Sequence, residues 1–287
     1  MKNTLKEILF FTFILLSYIY IISNINYITN QIINTLNIAL HKIIPILLPT
    51  ILLSNMLYSS NIPYYINKYL KINPTYILSI ITGSPTNAVI LNKYNIDLTK
   101  QLSITNYPSL LFIYNYLKII FNKNISLTLI ILNIISNIIL FFIIKPSKLP
   151  ELHKSNNNFI TIFSNSIKNT TNTLLLIIST TLIYSILPTT LINNIFLKST
   201  ILSITEITSS LNNLSIISLP INIKILLSII TISTTGLCIQ TQILNITNNI
   251  NIKEYIKNRL LHLVIYLILT YLFIYFNIIW KMNVIFI

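Results

Sequence analysis

The sequence predicts an all-α polytopic membrane protein with about eight hydrophobic segments in two repeats, each with a broken or re-entrant helix. Hydrophobic residues make up 54% of the 287 residues, charged residues only 8%, and the mean hydropathy is +0.76. A soluble domain carries about 25% charged residues, so the chain has too few charges to cover a water-facing surface of this size. The apolar runs alternate with short loops that carry lysines, as expected for helices crossing a bilayer.

The composition excludes several other classes. High hydrophobicity excludes a disordered chain, and the presence of only 2 glycines excludes a collagen-like one. A single cysteine, Cys238, excludes a disulfide scaffold. The net charge of +14 would suggest nucleic acid in a soluble protein. Here the lysines lie between apolar runs, so we expect them to control topology and expect no nucleic-acid partner.

The chain divides into four parts. Residues 1–28 form an N-terminal anchor span, which we expect to remain uncleaved because no small-residue cleavage site follows it. Residues 29–144 and 159–287 form two Gate-like repeats. Between them, the hydrophilic residues 145–158 form a lysine-bearing linker that the positive-inside rule places in the cytoplasm.

Eight hydrophobic segments follow the anchor, and a short amphipathic helix is expected at residues 159–171. The hydrophobic segments cover residues 43–60, 76–92, 103–121, 124–144, 173–192, 199–218, 225–244 and 260–279.

Two short segments suggest an internal repeat. Residues 78–84 read LSIITGS and residues 227–233 read LSIITIS, and each precedes a glycine-containing interruption of an apolar segment. Chance similarity in a chain rich in Ile and Ser is the alternative. A helix that breaks inside the membrane frees N–H and C=O groups that lipid cannot satisfy, at several kcal/mol each. Paired breaks of this kind typically indicate a transporter binding site, and glycine adopts the required backbone angles most easily.

A few polar residues inside apolar segments are candidates for function. Glu206 lies in the run ILSITEITSSL, where an acid costs about 2.5–3.5 kcal/mol on insertion scales. It either faces the membrane surface, contacts a solute or coupling ion, or makes structural hydrogen bonds. Arg259 and His262 lie on adjacent turns, either as a topology anchor or with Arg259 paired to Glu206. Asn106 and Ser109 either line a cavity or bond between helices.

No catalytic or nucleotide-binding motif is present. The chain lacks G-x-S-x-G, H-E-x-x-H, C-x-x-C and P-loop patterns. His41, His153 and His262 do not have the spacing of metal ligands. The sequence therefore predicts that the protein is not an enzyme, binds no cofactor or metal, and is not an ATP-driven pump.

Five stretches carry motif-like sequences. Residues 82–88 read TGSPTNA, 102–112 read LSITNYPSLLF, 204–211 read ITEITSSL, 234–244 read TTGLCIQTQIL and 258–262 read NRLLH. In this order they resemble the conserved segments of the YlbJ family of sporulation integral membrane proteins, over most of the chain from about residue 40 to 277. The chain departs from the family motifs at Asn87, Val89, Ser210 and Thr235, which stand where the family has Gly, Lys, Gly and Gly.

The resemblance implies nucleoside-recognition (Gate) domains, similar to the core of concentrative nucleoside transporters, in a spore-forming member of the Firmicutes. It predicts a multi-pass protein of the cell membrane, in the mother-cell or forespore membrane, that is required for spore formation. Its role would be a transporter-like permease or gate for a small solute. The alternative is a non-transporting scaffold that recruits partners during spore envelope or cortex assembly. Expected partners are the lipid bilayer, a small solute and further copies of the chain.

The predicted site residues come from the breaks and from the polar positions near them. The predicted substrate or gate residues are Gly83, Ser84, Pro85, Thr86, Asn87, Asn106, Ser109, Glu206, Thr208, Thr235, Gly236, Gln240 and Gln242. Arg259 and His262 are predicted to have a structural or topological role.

Overall fold

The computed structural model describes residues 2–71, 73–93, 98–145, 154, 158–192, 194–247 and 250–285. Within these ranges every regular element is helical, which confirms the all-α prediction. The helices are α1 (Lys2–Ser23), α2 (Ile25–Ile38), α3 (Ile44–Ser59), α4 (Ile62–Leu70), α5 (Pro74–Thr82), α6 (Thr86–Lys93), α7 (Leu98–Thr105), α8 (Leu110–Ile120), α9 (Lys123–Ile144), α10 (Phe159–Leu191), α11 (Ile195–Thr205), α12 (Ile207–Ile216), α13 (Ile221–Thr234), α14 (Gly236–Ile246) and α15 (Ile252–Ile285). A π-helical turn, Ala39–Ile43, joins α2 to α3.

Four helical stretches of the described residues are long and apolar enough to cross a membrane, which supports a membrane protein. They are Ile25–Ser59, Lys123–Ile144, Ile221–Ile246 and Ile252–Phe276. Many of their side chains are not covered by protein: only 17% of the first window and 22% of the last are buried. Lipid is the solvent that such exposed apolar helices require.

The second half begins with one long helix rather than two short ones. The amphipathic helix expected at 159–171 is continuous with the segment expected at 173–192, and together they form α10. The prediction of a separate short helix was wrong because no glycine or proline lies between the two stretches. Thr170, Thr171 and Thr173 there bond to carbonyls one turn back and do not end the helix.

Four interruptions divide the shorter helices into pairs. Break 1 (residues 83–85) separates α5 from α6, and break 2 (residues 106–109) separates α7 from α8. Break 3 (Glu206) separates α11 from α12, and break 4 (Thr235) separates α13 from α14. One break per half was expected, so breaks 2 and 3 are additional. In chain order, the two interrupted helices of the first half lie between α4 and α9, and those of the second half lie between α10 and α15.

The two matching sequence segments do not occupy the same place in this order. LSIITGS covers the last five residues of α5 and the start of break 1, in the first interrupted helix of its half. LSIITIS lies within α13, in the second interrupted helix of the other half.

One hydrophobic core joins the two halves. It contains Leu102 and Ile113 from the first half, and Leu211, Ile232 and Tyr266 from the second. The last helix, α15, packs against α7, α9 and α13, and so contacts both halves. Most of the predicted linker 145–158 lies outside the described residues, which include only Lys145, Lys154 and Asn158 of it.

Candidate functional site

Breaks 1 and 2 cross in close backbone contact. Gly83 has φ 67° and ψ 175°, a conformation that only glycine adopts readily. A Cβ added there would lie 2.2 Å from the backbone nitrogen of Ser109. The Ser84 N–H donates to the Tyr107 carbonyl at 2.8 Å. A backbone group freed by break 1 is therefore satisfied by the backbone of break 2.

Breaks 3 and 4 cross in a similar way. Gly236 has φ 72°, and an added Cβ would lie 3.0 Å from the Thr205 carbonyl oxygen and 3.3 Å from the Glu206 Cα. Thr235 has φ 57° and ψ 7°, an unusual left-handed conformation for a β-branched residue. In each half, a glycine of one break thus packs against the backbone of the other.

Asn106 connects the two pairs of breaks. Its Nδ2 donates to the Thr235 Oγ1 at 3.1 Å and to the Tyr255 hydroxyl, and its Oδ1 accepts from the Ser84 hydroxyl. One side chain of break 2 therefore bonds to break 1, break 4 and α15. It is fully buried, so these bonds are shielded from solvent.

Glu206 is both the third break and the N-cap of α12. The side chain is 1% exposed. Its Oε1 accepts the Thr208 N–H at 2.9 Å and its Oε2 accepts the Ser209 N–H. A carboxylate at a helix N-terminus is stabilised by the free N–H groups and by the helix dipole. Glu206 therefore lies inside the protein, and the membrane-surface alternative is wrong.

A small cavity lies where the broken helices meet. Its volume is about 30 Å³, which has room for one or two water molecules. The predicted site residues that line it are Ser84, Pro85, Ser109, Glu206, Thr208 and Gln242. Thr181 of α10 and Cys238 of α14 also line it, and neither was predicted as a site residue.

Gln242 brings a free acceptor to this cavity. Its Nε2 donates to the Thr180 Oγ1 at 2.5 Å and contacts the Cys238 sulfur at 3.2 Å. Its Oε1 is buried and has no hydrogen-bond partner. The cavity thus presents a carboxylate, an unpaired amide oxygen and hydroxyl groups.

The remaining predicted residues support the breaks without lining the cavity. The Asn87 Nδ2 donates to the Thr105 carbonyl at 2.6 Å, next to break 2. The Gln240 Nε2 donates to the Thr234 carbonyl at 2.7 Å, next to break 4. Thr86, at the start of α6, is buried.

Arg259 joins the C-terminal ends of two broken helices. Its Nη1 donates to the Ser103 carbonyl at 3.0 Å, and its Nη2 donates to the Ser233 carbonyl. These carbonyls lie in the last turns of α7 and α13, where a cation offsets the negative end of the helix dipole. Arg259 is 4% exposed, unlike Lys253 and Lys257. The structure therefore shows neither an exposed topology anchor nor a pairing with Glu206.

His262 ties α15 to α9 and α13. Its Nε2 lies 2.8 Å from the Ser136 hydroxyl, and its Nδ1 lies 2.7 Å from the Ser233 hydroxyl. The ring is completely buried. Because Arg259 and His262 both bond to Ser233, they hold the end of α13 in place together.

A polar cleft lies next to the site. It has a volume of about 420 Å³ and lies between α2, α10, α11 and α12. Gln31, Asn34 and Asn37 face it from α2, and Lys198 and Ser209 face it from α11 and α12. Ser209 lines the cleft, and its N–H donates to the Glu206 carboxylate. Only this one residue separates the cleft from the central acid.

Several residues of this arrangement were not predicted. Ser103, Ser233 and Tyr255 hold the breaks through Arg259 and Asn106. Ser103 and Ser233 lie in segments that were singled out in the sequence, but neither was predicted as a site residue. Within the described ranges, no three His, Cys, Asp or Glu side chains lie close enough together to hold a metal ion. Comparison with known proteins found no matching family model, curated protein or solved structure.

Proposed function

We propose that this protein is a membrane permease that moves a small polar solute through the cavity at the four breaks. The observation that carries the proposal is the position of Glu206, a fully buried acid in a cavity where four interrupted helices converge. Acids inside membrane proteins are costly and usually mark a path for a solute or ion. Interrupted helices in both halves of a chain are the usual components of a transporter site.

The chemistry of the cavity favours a solute that donates hydrogen bonds. Glu206 and the unpaired Oε1 of Gln242 are acceptors, and no Lys or Arg is among the lining residues. A neutral or cationic solute with N–H or O–H groups would satisfy both acceptors. An anionic solute would meet a carboxylate and no compensating cation, which disfavours it.

Transport requires the cavity to change size. Sites for small organic ligands usually have volumes of about 300–1,000 Å³, whereas this cavity has about 30 Å³. We therefore interpret the structure as a closed state. In our proposal the two halves rock about the contact between Asn106 and Thr235, and the polar cleft beside Ser209 is the route to one side of the membrane.

The biological setting remains an inference from resemblance. The similarity of the break sequences to those of YlbJ-type proteins is the support for a role in spore formation. The alternative, a scaffold, would require neither a buried acid nor a cavity that opens.

A thermal-shift screen tests the proposed site. Purified protein in detergent is heated with each member of a panel of nucleosides, amino acids and polyols, because a ligand that binds the folded state raises the melting temperature. We expect at least one neutral or cationic solute to stabilise the wild-type protein. Glu206→Gln should abolish that stabilisation, because it replaces an acceptor oxygen with an N–H donor at nearly constant shape. The matched control is Glu254→Gln, an acid in the first turn of α15 and outside the cavity, which should respond like the wild type.

Two results would overturn the proposal. One is the absence of stabilisation by any solute of the panel in the wild-type protein. The other is equal stabilisation of the wild-type protein and Glu206→Gln, because Glu206 would then not contribute to binding. In either case the scaffold would be the better explanation of the cellular role.

A further inference from the structure

The short helix α4 is held against α3 and α5 by one side only. Pro63 is buried, and Ile66 packs against Tyr58 of α3 and Leu78 of α5. In the chain, α4 follows almost directly after the candidate membrane span Ile25–Ser59. It has 9 residues, so its length is about 14 Å. A helix of this length is too short to cross a bilayer.

The contacts of α5 show at which level of the membrane α4 lies. Helix α9 has 22 residues and is about 33 Å long, which matches the hydrocarbon thickness of about 30 Å. The ring of Tyr76, near the start of α5, packs on Phe141 in the last turn of α9, with centroids 5.1 Å apart. Only residues 71–73 join α4 to α5. Helix α4 therefore lies where α9 leaves the hydrocarbon, on the side of Lys145.

The exposed face of α4 is aromatic and apolar. Ile62, Tyr65 and Tyr69 are 41%, 42% and 72% exposed, and they follow one another along the helix at the spacing of one turn. The rings of Tyr65 and Tyr69 stack with their centroids 6.2 Å apart. Tyrosine is enriched at membrane surfaces because its ring is apolar and its hydroxyl is polar. This face therefore fits the boundary between the acyl chains and the lipid headgroups.

Two lysines near the end of α4 add positive charge to this face. Lys68 and Lys71 are exposed, and the Lys68 Nζ lies 5.9 Å and 5.8 Å from the ring centroids of Tyr64 and Tyr69. Residues 8–96, which include α3 and α5, contain no Asp or Glu. The neighbouring segments therefore supply no acid to neutralise these lysines. Lysines close to a membrane surface attract the phosphates of anionic lipids.

We propose that α4 lies along the bilayer interface, on the side of Lys145, and binds anionic phospholipid through Lys68 and Lys71. The tyrosine face sets the depth of the helix, and the two lysines select the headgroup. This interaction is separate from the proposed solute path and does not depend on transport.

The depth of α4 is tested with brominated lipids, which quench tryptophan fluorescence at short range. In a Trp280→Phe background, which removes the single tryptophan, Tyr69→Trp reports on α4 and keeps an aromatic ring beside Lys68. Ile131→Trp, at a position 54% exposed near the middle of α9, is the matched control. The full chain is placed in vesicles of phosphatidylcholine brominated either near the headgroup or near the end of the acyl chain.

The two reporters should respond in opposite order. We expect the shallow bromines to quench Tyr69→Trp more strongly than the deep ones, and the deep bromines to quench Ile131→Trp more strongly than the shallow ones. Stronger quenching of Tyr69→Trp by the deep bromines, or no quenching by either lipid, would overturn the interfacial position of α4.

The same reporter tests the choice of headgroup. A fixed fraction of brominated phosphatidylglycerol in phosphatidylcholine vesicles is compared with the same fraction of brominated phosphatidylcholine. We expect phosphatidylglycerol to be preferred beside Tyr69→Trp by roughly five-fold or more at low salt. The preference should disappear at high salt, because screening weakens exposed charges. This comparison leaves both lysines in place, so it does not depend on their substitution. Equal quenching by the two lipids at low salt would overturn the proposal.

Substitution of the lysines gives a second readout. Lys68→Gln combined with Lys71→Gln should remove the preference for phosphatidylglycerol while the quenching depth of Tyr69→Trp stays the same. The matched control combines Lys118→Gln with Lys123→Gln, which removes the same charge beside the opposite end of α9 and should keep the preference. A preference that survives the loss of Lys68 and Lys71, or that falls equally in the control, would overturn the proposal.

Discussion

At the scale of single residues, both glycines stand where one helix ends and another segment crosses it. Gly83 and Gly236 have φ values of 67° and 72°, and each lies against the backbone of a neighbouring break. Glycine is rare in the chain because of its overall composition. At these two positions, however, glycine is needed because φ is positive and another backbone lies close to the Cα. Thr235 also has a left-handed backbone, and its Oγ1 accepts hydrogen bonds from Asn106 and Gln240.

Alanine substitution should distinguish the two glycines. At Gly83 the backbone conformation alone costs a non-glycine residue about 1–3 kcal/mol, and the added Cβ would clash at 2.2 Å with the Ser109 backbone. At Gly236 the closest contact is 3.0 Å, so the main cost is the positive φ, about 1–2 kcal/mol. We expect Gly83→Ala to lower the free energy of unfolding more than Gly236→Ala, measured by denaturation in mixed micelles.

Leu111→Ala is the control for these variants, because Leu111 follows break 2 but is 51% exposed. It should change stability little. If Gly83→Ala were as stable as Leu111→Ala, the crossing of breaks 1 and 2 described here would be incorrect.

At the scale of elements, Arg259 stabilises two helix ends at once. Its guanidinium bonds to one carbonyl of α7 and one of α13, which are 156 and 26 residues away in the chain. The broken helices can therefore end inside the protein without leaving these carbonyls unpaired. The planar guanidinium matches two separate acceptors, which a lysine ammonium on a flexible stem does less well.

Removal of this cation should loosen both helix ends. A hydrogen bond to a charged group contributes about 1.5–3 kcal/mol, and Arg259→Met removes two of them. We expect a large loss of stability for Arg259→Met and an intermediate loss for Arg259→Lys, with faster amide exchange in the last turns of α7 and α13. Lys257→Met, an exposed change two residues away, is the control. Equal effects of Lys257→Met and Arg259→Met would refute this role.

The sequence made part of this arrangement predictable. The helical class follows from hydropathy, and breaks 1 and 4 follow from Gly83, Pro85 and Gly236, which disfavour a continuous helix. Break 3 was harder to foresee, because Glu206 interrupts the helix through its extended backbone and its side-chain cap and not through glycine or proline. The partners of Arg259 could not be foreseen, because backbone carbonyls leave no trace in a sequence.

At the scale of the whole molecule, the four breaks form a connected series. Break 1 bonds to break 2, break 2 bonds to break 4 through Asn106, and break 4 packs on break 3 at Gly236. A movement of one half relative to the other would therefore be transmitted to the walls of the central cavity that the breaks form. We propose that the polar cleft beside Ser209 is the approach to this cavity from one side. In our account, movement of the halves opens it to each side in turn.

Cysteine labelling at Thr208 tests this central claim most directly. Thr208 lines the closed cavity, and Asn213 lines the cleft. Each is changed to Cys in a Cys238→Ser background and exposed to a membrane-impermeant maleimide in right-side-out and inside-out vesicles. Ile33→Cys, on the exposed apolar face of α2, is the lipid-facing control. The account predicts labelling of Thr208→Cys from both sides, of Asn213→Cys from one side, and no labelling of Ile33→Cys. Labelling of Thr208→Cys from neither side, or from one side only, would contradict alternating access.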